Sequence, residues 1–263
     1  MTRAVAVDDI GDGPAVLLVH AGVFSGWFTP LAAEPALAGR RVLRMVRAGY
    51  GDTPEPAEHV RIADHAADCA ALLRDRGAAP ALVVAHSSGS VIALQLAIDH
   101  PDVVSGLVLS EPPLVDALLD PADVADVRAT IGPVIGQAMA ARAAGDDAGA
   151  YDAFMGAVCG PAHREVVAAA LGADALAERE CRYFLRDEAG AAGTWSVDDD
   201  ALARIDVPVL LVAGGDSPPP THRLVTRLAA RLPKAEVATI EGDNHLLPLR
   251  SPGPLAALVA QRS

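Results

Sequence analysis

Short apolar runs recur along the chain and predict the strands of a buried sheet. Each run is rich in Val, Leu and Ile and is bounded by polar or turn-forming residues, which is typical of strands. The runs are Ala15 to Val19, Val42 to Val46, Ala81 to Ala85, Val104 to Leu109, Val207 to Val212 and Ala235 to Ile240. Because these runs do not alternate with polar residues, they favour a parallel sheet that is covered on both faces.

Segments with helical periodicity lie between these strands. In the first of them the apolar residues from Ile62 to Leu73 recur at three- and four-residue spacings and share one face of a helix. The segments are 58 to 76, 88 to 99, 220 to 232 and 251 to 262. Strand and helix therefore alternate, which predicts an α/β fold with a doubly wound, mostly parallel sheet.

One long interval interrupts this alternation. The residues between Ser110 and Val207 are rich in alanine and helical in pattern, and their number far exceeds that of an ordinary crossover. Helix breaks are expected at Gly132-Pro133, Gly145, Gly160-Pro161 and Gly190 to Gly193. We predict a helical lid insertion at 112–199 on a core formed by 1–111 and 200–263.

Composition and charge limit the classes of partner. The chain is 51% hydrophobic and 21% charged, which is typical of soluble globular proteins and excludes general disorder. The sequence contains no apolar run long enough to span a membrane, and its N-terminal stretch does not resemble a secretory signal. A net charge of −13 would repel a phosphate backbone. We expect a cytoplasmic monomer or homodimer that binds a small-molecule substrate, but neither nucleic acid nor a membrane.

Motifs for metals and cofactors are missing from the sequence. Cys69, Cys159 and Cys181 are widely spaced and form no Cys-x-x-Cys pair or Cys/His cluster, so neither a disulfide framework nor a zinc site is predicted. No glycine-rich phosphate-binding motif follows a strand. We therefore expect no metal and no cofactor.

The strongest local signal surrounds Ser87. This serine lies between a predicted strand and a predicted helix, with the small residues Ala85 and Gly89 two positions before and after it. A sharp strand-to-helix turn requires small residues at these places and holds the hydroxyl at the helix N-terminus, where N–H groups favour negative charge. Ser87 is a candidate nucleophile; the alternative is that Ser87 or Ser88 merely caps the helix.

This segment resembles the Gly-x-Ser-x-Gly nucleophile elbow of the α/β-hydrolase superfamily, with Ala85 in place of the first glycine. His20-Ala21-Gly22 resembles the oxyanion loop of that family, and Arg47 to Pro54 resembles its Arg-x-x-Gly-x-Gly-x-Ser segment. His245, after the last strand, occupies the place of the catalytic histidine. Together the matches span nearly the whole chain in the right order. The resemblance implies a lid-bearing serine hydrolase, in the group of esterases, thioesterases, lactonases and C–C bond hydrolases.

The resemblance also implies roles for individual residues. A serine hydroxyl becomes nucleophilic when an imidazole takes its proton, and a carboxylate orients that imidazole. Ser87 would attack, with His245 as its base; the alternative for His245 is a hydrogen-bonding role in its loop. Backbone N–H groups of Ser88 and of either Gly22 or Val23 would bind the oxyanion.

The acid of the triad is the least determined residue. Family members commonly carry an aspartate after the strand that matches Val207 to Val212, but Ser217 occupies that position here. Asp216 could serve if its loop turns one residue differently, and otherwise is a turn residue. Glu111 is slightly favoured, because some members carry the acid after that earlier strand and a glutamate ending a buried strand requires an explanation. Asp243 is a third, weaker candidate.

The nine aromatic residues fall into two groups, separated by residues 51–150, which contain none. One group belongs to the oxyanion loop and the segment after the next strand, and the other belongs to the predicted lid. Because these surfaces should face each other across the active site, we expect an apolar substrate pocket. Its predicted lining is Phe24, Trp27, Phe28, Tyr151, Phe154, Phe184 and Trp195, with Tyr183 as a further candidate. The alternative is that the lid uses its aromatics for its own packing.

The leading hypothesis from the sequence is therefore a serine hydrolase that attacks an ester-like carbonyl of a small, largely apolar substrate. Two alternatives stay open at this stage. The same fold and residues could perform non-hydrolytic chemistry such as C–C cleavage, cyclisation or perhydrolysis. The chain could also be a small-molecule binding protein with an incomplete triad.

Overall fold

A computed structural model describes residues 3–113, 118–172 and 175–262. In these ranges seven strands form one sheet with the order β1-β3-β2-β4-β5-β6-β7. The strands are β1 (Ala6–Ile10), β2 (Ala15–Val19), β3 (Arg41–Val46), β4 (Ala81–His86), β5 (Val104–Ser110), β6 (Val209–Gly214) and β7 (Ala235–Ile240). β1 is antiparallel to β3, and all other neighbours are parallel. The predicted mostly parallel α/β sheet is confirmed.

The edge strand β1 is absent from the sequence prediction. Its central residues Asp8 and Asp9 interrupt the apolar pattern, and in the sheet they pair with arginines of the neighbouring strand β3. Asp9 binds Arg41 at 2.7 Å and Asp8 binds Arg44. Cross-strand ion pairs of this kind stabilise an exposed edge that apolar periodicity does not reveal.

Helices cover the sheet and its carboxyl edge. They are α1 (Thr29–Ala32), α2 (Ile62–Asp75), α3 (Ser88–Asp99), α4 (Pro121–Ala143), α5 (Asp147–Cys159), α6 (His163–Leu171), α7 (Ala175–Tyr183), α8 (Ala189–Thr194), α9 (Asp199–Ala203), α10 (Pro219–Ala229), α11 (Leu247–Arg250) and α12 (Pro252–Ala260). A π-helical turn, Phe184–Glu188, joins α7 to α8. Short 3₁₀ turns occupy Ser25–Phe28, Pro35–Leu37 and Pro101–Val103.

The two faces of the sheet are buried against different helices. Leu17 and Val19 of β2 pack in one apolar cluster with side chains of α2, α3 and α10. Val16 and Leu18 of the same strand pack in another cluster with side chains of α1 and α12. Because successive side chains of a strand point to opposite faces, burial on both sides explains the uninterrupted apolar run Ala15–Val19.

The helices α4 to α9, called here the helical segment, follow β5 and precede β6. Their apolar side chains pack with the loops after β2, β3 and β7 in a third cluster that includes Trp27, Tyr50, Tyr151 and Leu246. The helical segment therefore lies over the carboxyl ends of these strands. Division of the chain into a core and a lid at 112–199 stays a prediction.

Two of the expected helix breaks in this segment are wrong. α4 continues through Gly132-Pro133, and Gly190 to Gly193 lie within α8. Gly145 and the pair Gly160-Pro161 do separate helices. An interior proline removes one helical hydrogen bond, but packing of α4 along α5 and the Asp120 cap, which accepts from the Asp123 N–H at 3.1 Å, support this helix. In the described part of the chain, no helix has the length and apolar character that crossing a membrane would require.

Candidate active site

Ser87 lies at a sharp turn between β4 and α3. Its backbone has φ 49° and ψ −126°, a conformation that residues other than glycine rarely adopt. The Ser87 N–H donates to the Ser110 carbonyl at 2.8 Å, and the Ser87 side chain makes no capping hydrogen bond to α3. A Cβ atom on Gly89 would overlap the Val19 carbonyl oxygen, which explains the need for glycine two residues after the serine. This strained strand-to-helix turn has the geometry expected of a nucleophile elbow.

A carboxylate and an imidazole meet beside this turn. Glu111 directly follows β5, and its Oε2 lies 2.7 Å from Nδ1 of His245, in the loop after β7. The second oxygen, Oε1, accepts from the Gly214 N–H at 2.9 Å and from the Ser217 hydroxyl. Glu111 has φ 48°, and its own N–H is bonded to the Val212 carbonyl at 3.0 Å. The carboxylate is thus fixed at both oxygen atoms and aimed at His245.

This environment keeps Glu111 ionised. Burial alone would raise the pKa of the Glu111 carboxyl, but the hydrogen bond and charge of His245, with the bonds from Ser217 and Gly214, lower that pKa to about 2. An ionised carboxylate that accepts from Nδ1–H holds the imidazole in the tautomer whose Nε2 is free to accept a proton.

A second histidine supports the ring of His245. The rings of His86 and His245 lie 4.5 Å apart between centroids, and Trp27 packs on His86 at 4.8 Å. Burial, followed by the charge of His245, lowers the pKa of His86 well below its usual value. His86 therefore stays neutral, and its Nδ1 is hydrogen-bonded to the Ser110 hydroxyl at 3.0 Å. The local sequence pattern does not reveal this contact between tilted rings, because it joins residues that are distant along the chain.

The alternative acids lie elsewhere. Asp216 is exposed and its N–H donates to the Asp243 carbonyl at 2.8 Å. The Asp243 carboxylate is buried, accepts from the Asn244 N–H at 2.8 Å and faces Arg250 at 3.5 Å. The structure therefore pairs His245 with Glu111 and not with Asp216. The hydroxyl of Ser217, at the position where an aspartate was expected, instead donates to Glu111.

Val23 and Ser88, whose backbone N–H groups are candidate oxyanion donors, line the same cavity as Ser87. The Gly22 N–H is already bonded to the Ser88 hydroxyl at 2.7 Å, so it is not available to a substrate. Val23 has φ 73°, and the Phe24 N–H bonds back to the Gly22 carbonyl at 3.0 Å, which is the pattern of a strained γ-turn. Within the described residues the Val23 N–H has no hydrogen-bond partner. With the Ser88 N–H at the start of α3, it forms a candidate oxyanion site.

These groups line one cavity of about 650 Å³ beneath the helical segment. Ser87, Ser88, Val23, Glu111 and His245 all contribute to its wall. A cavity of this size accommodates a small organic molecule. Most of the other lining side chains are apolar, and they come from α4, α5, α10 and the π-helical turn.

The aromatic residues divide between this cavity and the protein interior. Trp27, Phe154 and Phe184 line the cavity, as expected from the sequence. The other four predicted lining residues, Phe24, Phe28, Tyr151 and Trp195, do not belong to its wall. Their surroundings explain why.

Each of these four side chains contacts other residues and does not face the cavity. Phe24 stacks under Trp27 at 4.5 Å, and Phe28 is buried against the sheet. Tyr151 is buried beside His163, and Trp195 donates its indole N–H to Gln95 at 2.7 Å. Tyr183, the further candidate, packs on Tyr50 at 5.2 Å. Tyr151 therefore fits the alternative that the helical segment uses aromatics for its own packing, whereas Tyr183 and Trp195 contact residues outside that segment.

A buried ionic network fastens the helical segment to the core. Glu188 of the π-helical turn binds Arg47 at 2.8 Å, the Tyr50 hydroxyl at 2.7 Å and His65 at 3.0 Å. Burial would raise the pKa of Glu188, but Arg47 and His65 lower it far below its usual value. Arg47 also donates to the Ala21 carbonyl at 3.3 Å, within the candidate oxyanion loop. The sequence motif marks the Arg47 segment but does not reveal Glu188 as the partner of Arg47.

A second carboxylate of the helical segment contacts the same loops. Glu180 of α7 accepts from the Ser25 N–H at 2.7 Å, from the Ser25 hydroxyl at 3.0 Å and from the Gly51 N–H. Burial raises the pKa of Glu180, and these hydrogen bonds oppose that shift. Glu180 and Glu188 thus hold the helical segment over the loops that follow β2 and β3.

Comparison with known proteins identifies relatives over most of the chain. Residues 16–258 match the model of the Alpha/beta hydrolase family. A curated mouse protein, sn-1-specific diacylglycerol lipase ABHD11, is 29% identical over 263 aligned residues, which cover 88% of this chain and 75% of the mouse protein.

Solved structures share the fold. An alpha/beta hydrolase from Sphaerobacter thermophilus DSM 20745 matches with a TM-score of 0.76 and 25% identity, covering 98% of this chain and 95% of the other. The enol-lactonase from Burkholderia xenovorans LB400 matches with the same TM-score and 19% identity, covering 97% and 94% of the two chains. At that level of identity the lactonase shows likeness of fold alone.

Proposed function

The chain belongs to the α/β-hydrolase family, and on this premise we propose that it is a serine hydrolase that cleaves an ester-like bond of a small, largely apolar substrate. The observation that carries the proposal is the 2.7 Å contact between Glu111 and His245 in the same cavity wall as the strained Ser87. A hydrolase is also supported by the family match and by the mouse lipase relative.

The proposed reaction begins when His245 Nε2 takes the Ser87 hydroxyl proton and Oγ bonds to the substrate carbonyl carbon. The carbonyl oxygen becomes an oxyanion that accepts hydrogen bonds from the Ser88 and Val23 N–H groups. Collapse of this intermediate breaks the bond to the leaving alcohol, which receives the proton from His245. Glu111 stabilises the imidazolium throughout without itself taking the proton.

Water completes the proposed cycle. His245 removes a proton from a water molecule, whose oxygen attacks the acyl carbon of the acyl-enzyme. A second oxyanion forms at the same two N–H groups, and its collapse returns the proton to Ser87 Oγ and releases the carboxylic acid. The apolar cavity wall supports an apolar acyl or alcohol part for this substrate.

The test is labelling with a fluorophosphonate probe together with turnover of a neutral alkyl ester. We expect stoichiometric modification of Ser87, and for Ser87→Ala a fall in kcat of roughly 10⁴-fold or more with loss of labelling. Ser105→Ala is the matched control, because Ser105 is half-buried in β5 and does not line the cavity. Folded protein that is neither labelled at Ser87 nor active on esters would overturn the proposal.

Product analysis extends the same experiment. Release of carboxylic acid and alcohol in equal amounts is expected for hydrolysis. Another product from the same substrate, dependent on Ser87, would instead indicate non-hydrolytic chemistry at this site. Ligand binding without any turnover would favour a binding protein.

A further inference from the structure

An apolar stripe on α4 forms one side of the cavity. Val127, Ile131, Ile135 and Met139 recur at every fourth position of this helix, and all four line the cavity. Side chains four residues apart lie on the same face of a helix, one above the other. Met139 is 37% exposed, which is unusual for a large apolar side chain. The stripe thus presents apolar surface to the cavity that protein side chains leave partly uncovered.

The stripe is long. Twelve residue steps separate Val127 from Met139, which at about 1.5 Å per residue gives an apolar wall of about 18 Å. Phe154 and Val158 of α5 and Leu224 of α10 line the same cavity. Because Ser87 and His245 also lie in that wall, the apolar surface is continuous with the catalytic groups. An extended alkyl chain fits this shape better than a compact acyl group does.

Charge in the cavity wall has one sign. Among the described lining residues the acidic side chains are those of Glu111 and Asp126, and neither an arginine nor a lysine contributes. His245 is already bonded to Glu111 through Nδ1. A carboxylate or phosphate on the substrate would therefore lose water without gaining a cationic partner, and Asp126 would repel it.

We propose that the substrate is a neutral ester with a long, uncharged alkyl chain that lies along the α4 stripe, and that anionic substrates are excluded. This inference rests on the proposed serine hydrolase function and specifies its substrate class. Burial of each further methylene against the stripe raises kcat/KM by roughly threefold to fourfold until the wall is filled.

The first test is a chain-length series of soluble neutral esters, from butanoate through hexanoate and octanoate to decanoate, measured below their aggregation limits. We expect kcat/KM to rise at each step. A maximum at butanoate in protein whose Ser87 is labelled would overturn this inference and leave the proposed function intact. Absence of Ser87-dependent turnover with every ester would instead remove the proposed function.

A pair of double variants tests the stripe itself. Ile131→Gln with Ile135→Gln places amides in the apolar wall, and we expect the decanoate-to-butanoate ratio of kcat/KM to fall at least tenfold. Ala129→Gln with Ala140→Gln is the matched control, because both alanines are exposed on α4 and do not line the cavity. The control should retain the wild-type ratio. An equal fall in both double variants, or no fall in either, would contradict a chain-binding stripe.

A third test concerns charge. It compares the neutral decanoate ester with the half-ester of decanedioic acid, which has the same chain and a terminal carboxylate. We expect at least tenfold lower kcat/KM for the anionic ester, and partial recovery in Asp126→Asn. Glu58→Gln, at an exposed residue outside the cavity wall, is the control for net charge. Equal rates on the two esters in the wild-type protein would overturn the exclusion of anions.

Discussion

Two buried glutamates, Glu111 and Glu188, occupy similar environments in different regions of the molecule. Each is about 95% buried, accepts from a histidine within about 3 Å, and has a pKa below its usual value. Glu111 binds His245 at the carboxyl edge of the sheet, and Glu188 binds His65 where the helical segment meets the core. Their local chemistry alone does not distinguish a catalytic pair from a structural one.

The two glutamate–histidine pairs differ in their access to the cavity. The His245 side chain is 14% exposed and lines the cavity, so its second nitrogen can exchange a proton with a substrate. His65 is 1% exposed, and within the described residues its Nδ1 has no hydrogen-bond partner. Glu188 also binds Arg47, whose positive charge it neutralises. The first pair is therefore suited to proton transfer, and the second to holding two parts of the chain together.

The largest expected effect concerns the proposed catalytic pair, Glu111 and His245. Glu111→Gln keeps the shape of the side chain but removes the charge that orients and stabilises His245, so we expect kcat to fall by roughly 10³- to 10⁴-fold. Steady-state ester turnover measures this loss. Asp216→Asn is the matched control and should retain activity within about threefold, since Asp216 is exposed and does not line the cavity. Similar activity losses in both variants would contradict the assignment of Glu111.

The next effect concerns the structural pair. Glu188→Gln leaves the Arg47 guanidinium buried without its counter-charge, so we expect the free energy of unfolding to fall by about 3 kcal/mol or more. Urea denaturation measures this change. The matched control is Asp187→Asn, whose partner Arg186 is exposed and which should cost less than about 1 kcal/mol.

Activity of the folded Glu188→Gln protein sharpens the contrast between the two pairs. We expect its kcat to stay within about tenfold of wild type, because Glu188 is not part of the cavity wall. A loss of turnover as large as that of Glu111→Gln, with unchanged stability, would show that the two regions do not differ in the way proposed here.

The smallest effect concerns acid stability. Both glutamates have folded-state pKa values below the usual 4.5, so their contribution to stability is complete above about pH 4.5 and is lost as pH falls towards the folded values. In that window each group lowers the unfolding free energy by about 1.4 kcal/mol per pH unit. Glu188→Gln should therefore show a shallower pH dependence than wild type. Urea unfolding at several pH values from 5 to 3 measures it, and parallel curves would contradict the prediction.

The sequence predicts features that depend on nearby residues. Six strands follow from runs rich in apolar residues, and burial on both faces leaves no polar position in β2. The elbow follows from small residues on either side of Ser87, since the turn has space for nothing larger after the serine. β1 escaped prediction because its stability comes from pairing with β3 and not from its own pattern.

Features that depend on distant residues could not be predicted in the same way. The aromatic groups of the oxyanion loop and the helical segment do come together, but Phe24 and Tyr151 pack inside while Trp27 and Phe184 face the cavity. Spacing along the chain does not specify such rotations. The proposal of Val23 over Gly22 as an oxyanion donor likewise depends on the Ser88 hydroxyl, which accepts a hydrogen bond from the Gly22 N–H.

The sequence by itself determined the fold, the position of Ser87 and the candidate base, because strand burial and sharp turns impose local residue requirements. Only the tertiary structure paired His245 with Glu111, which lies 134 residues away. That pairing follows from the sheet order, in which β5, β6 and β7 are neighbours, so that the residues after their carboxyl ends converge. The physical reason is that a hydrogen bond between distant residues depends on which strands become neighbours, and neighbouring strands are selected by the packing of the whole chain.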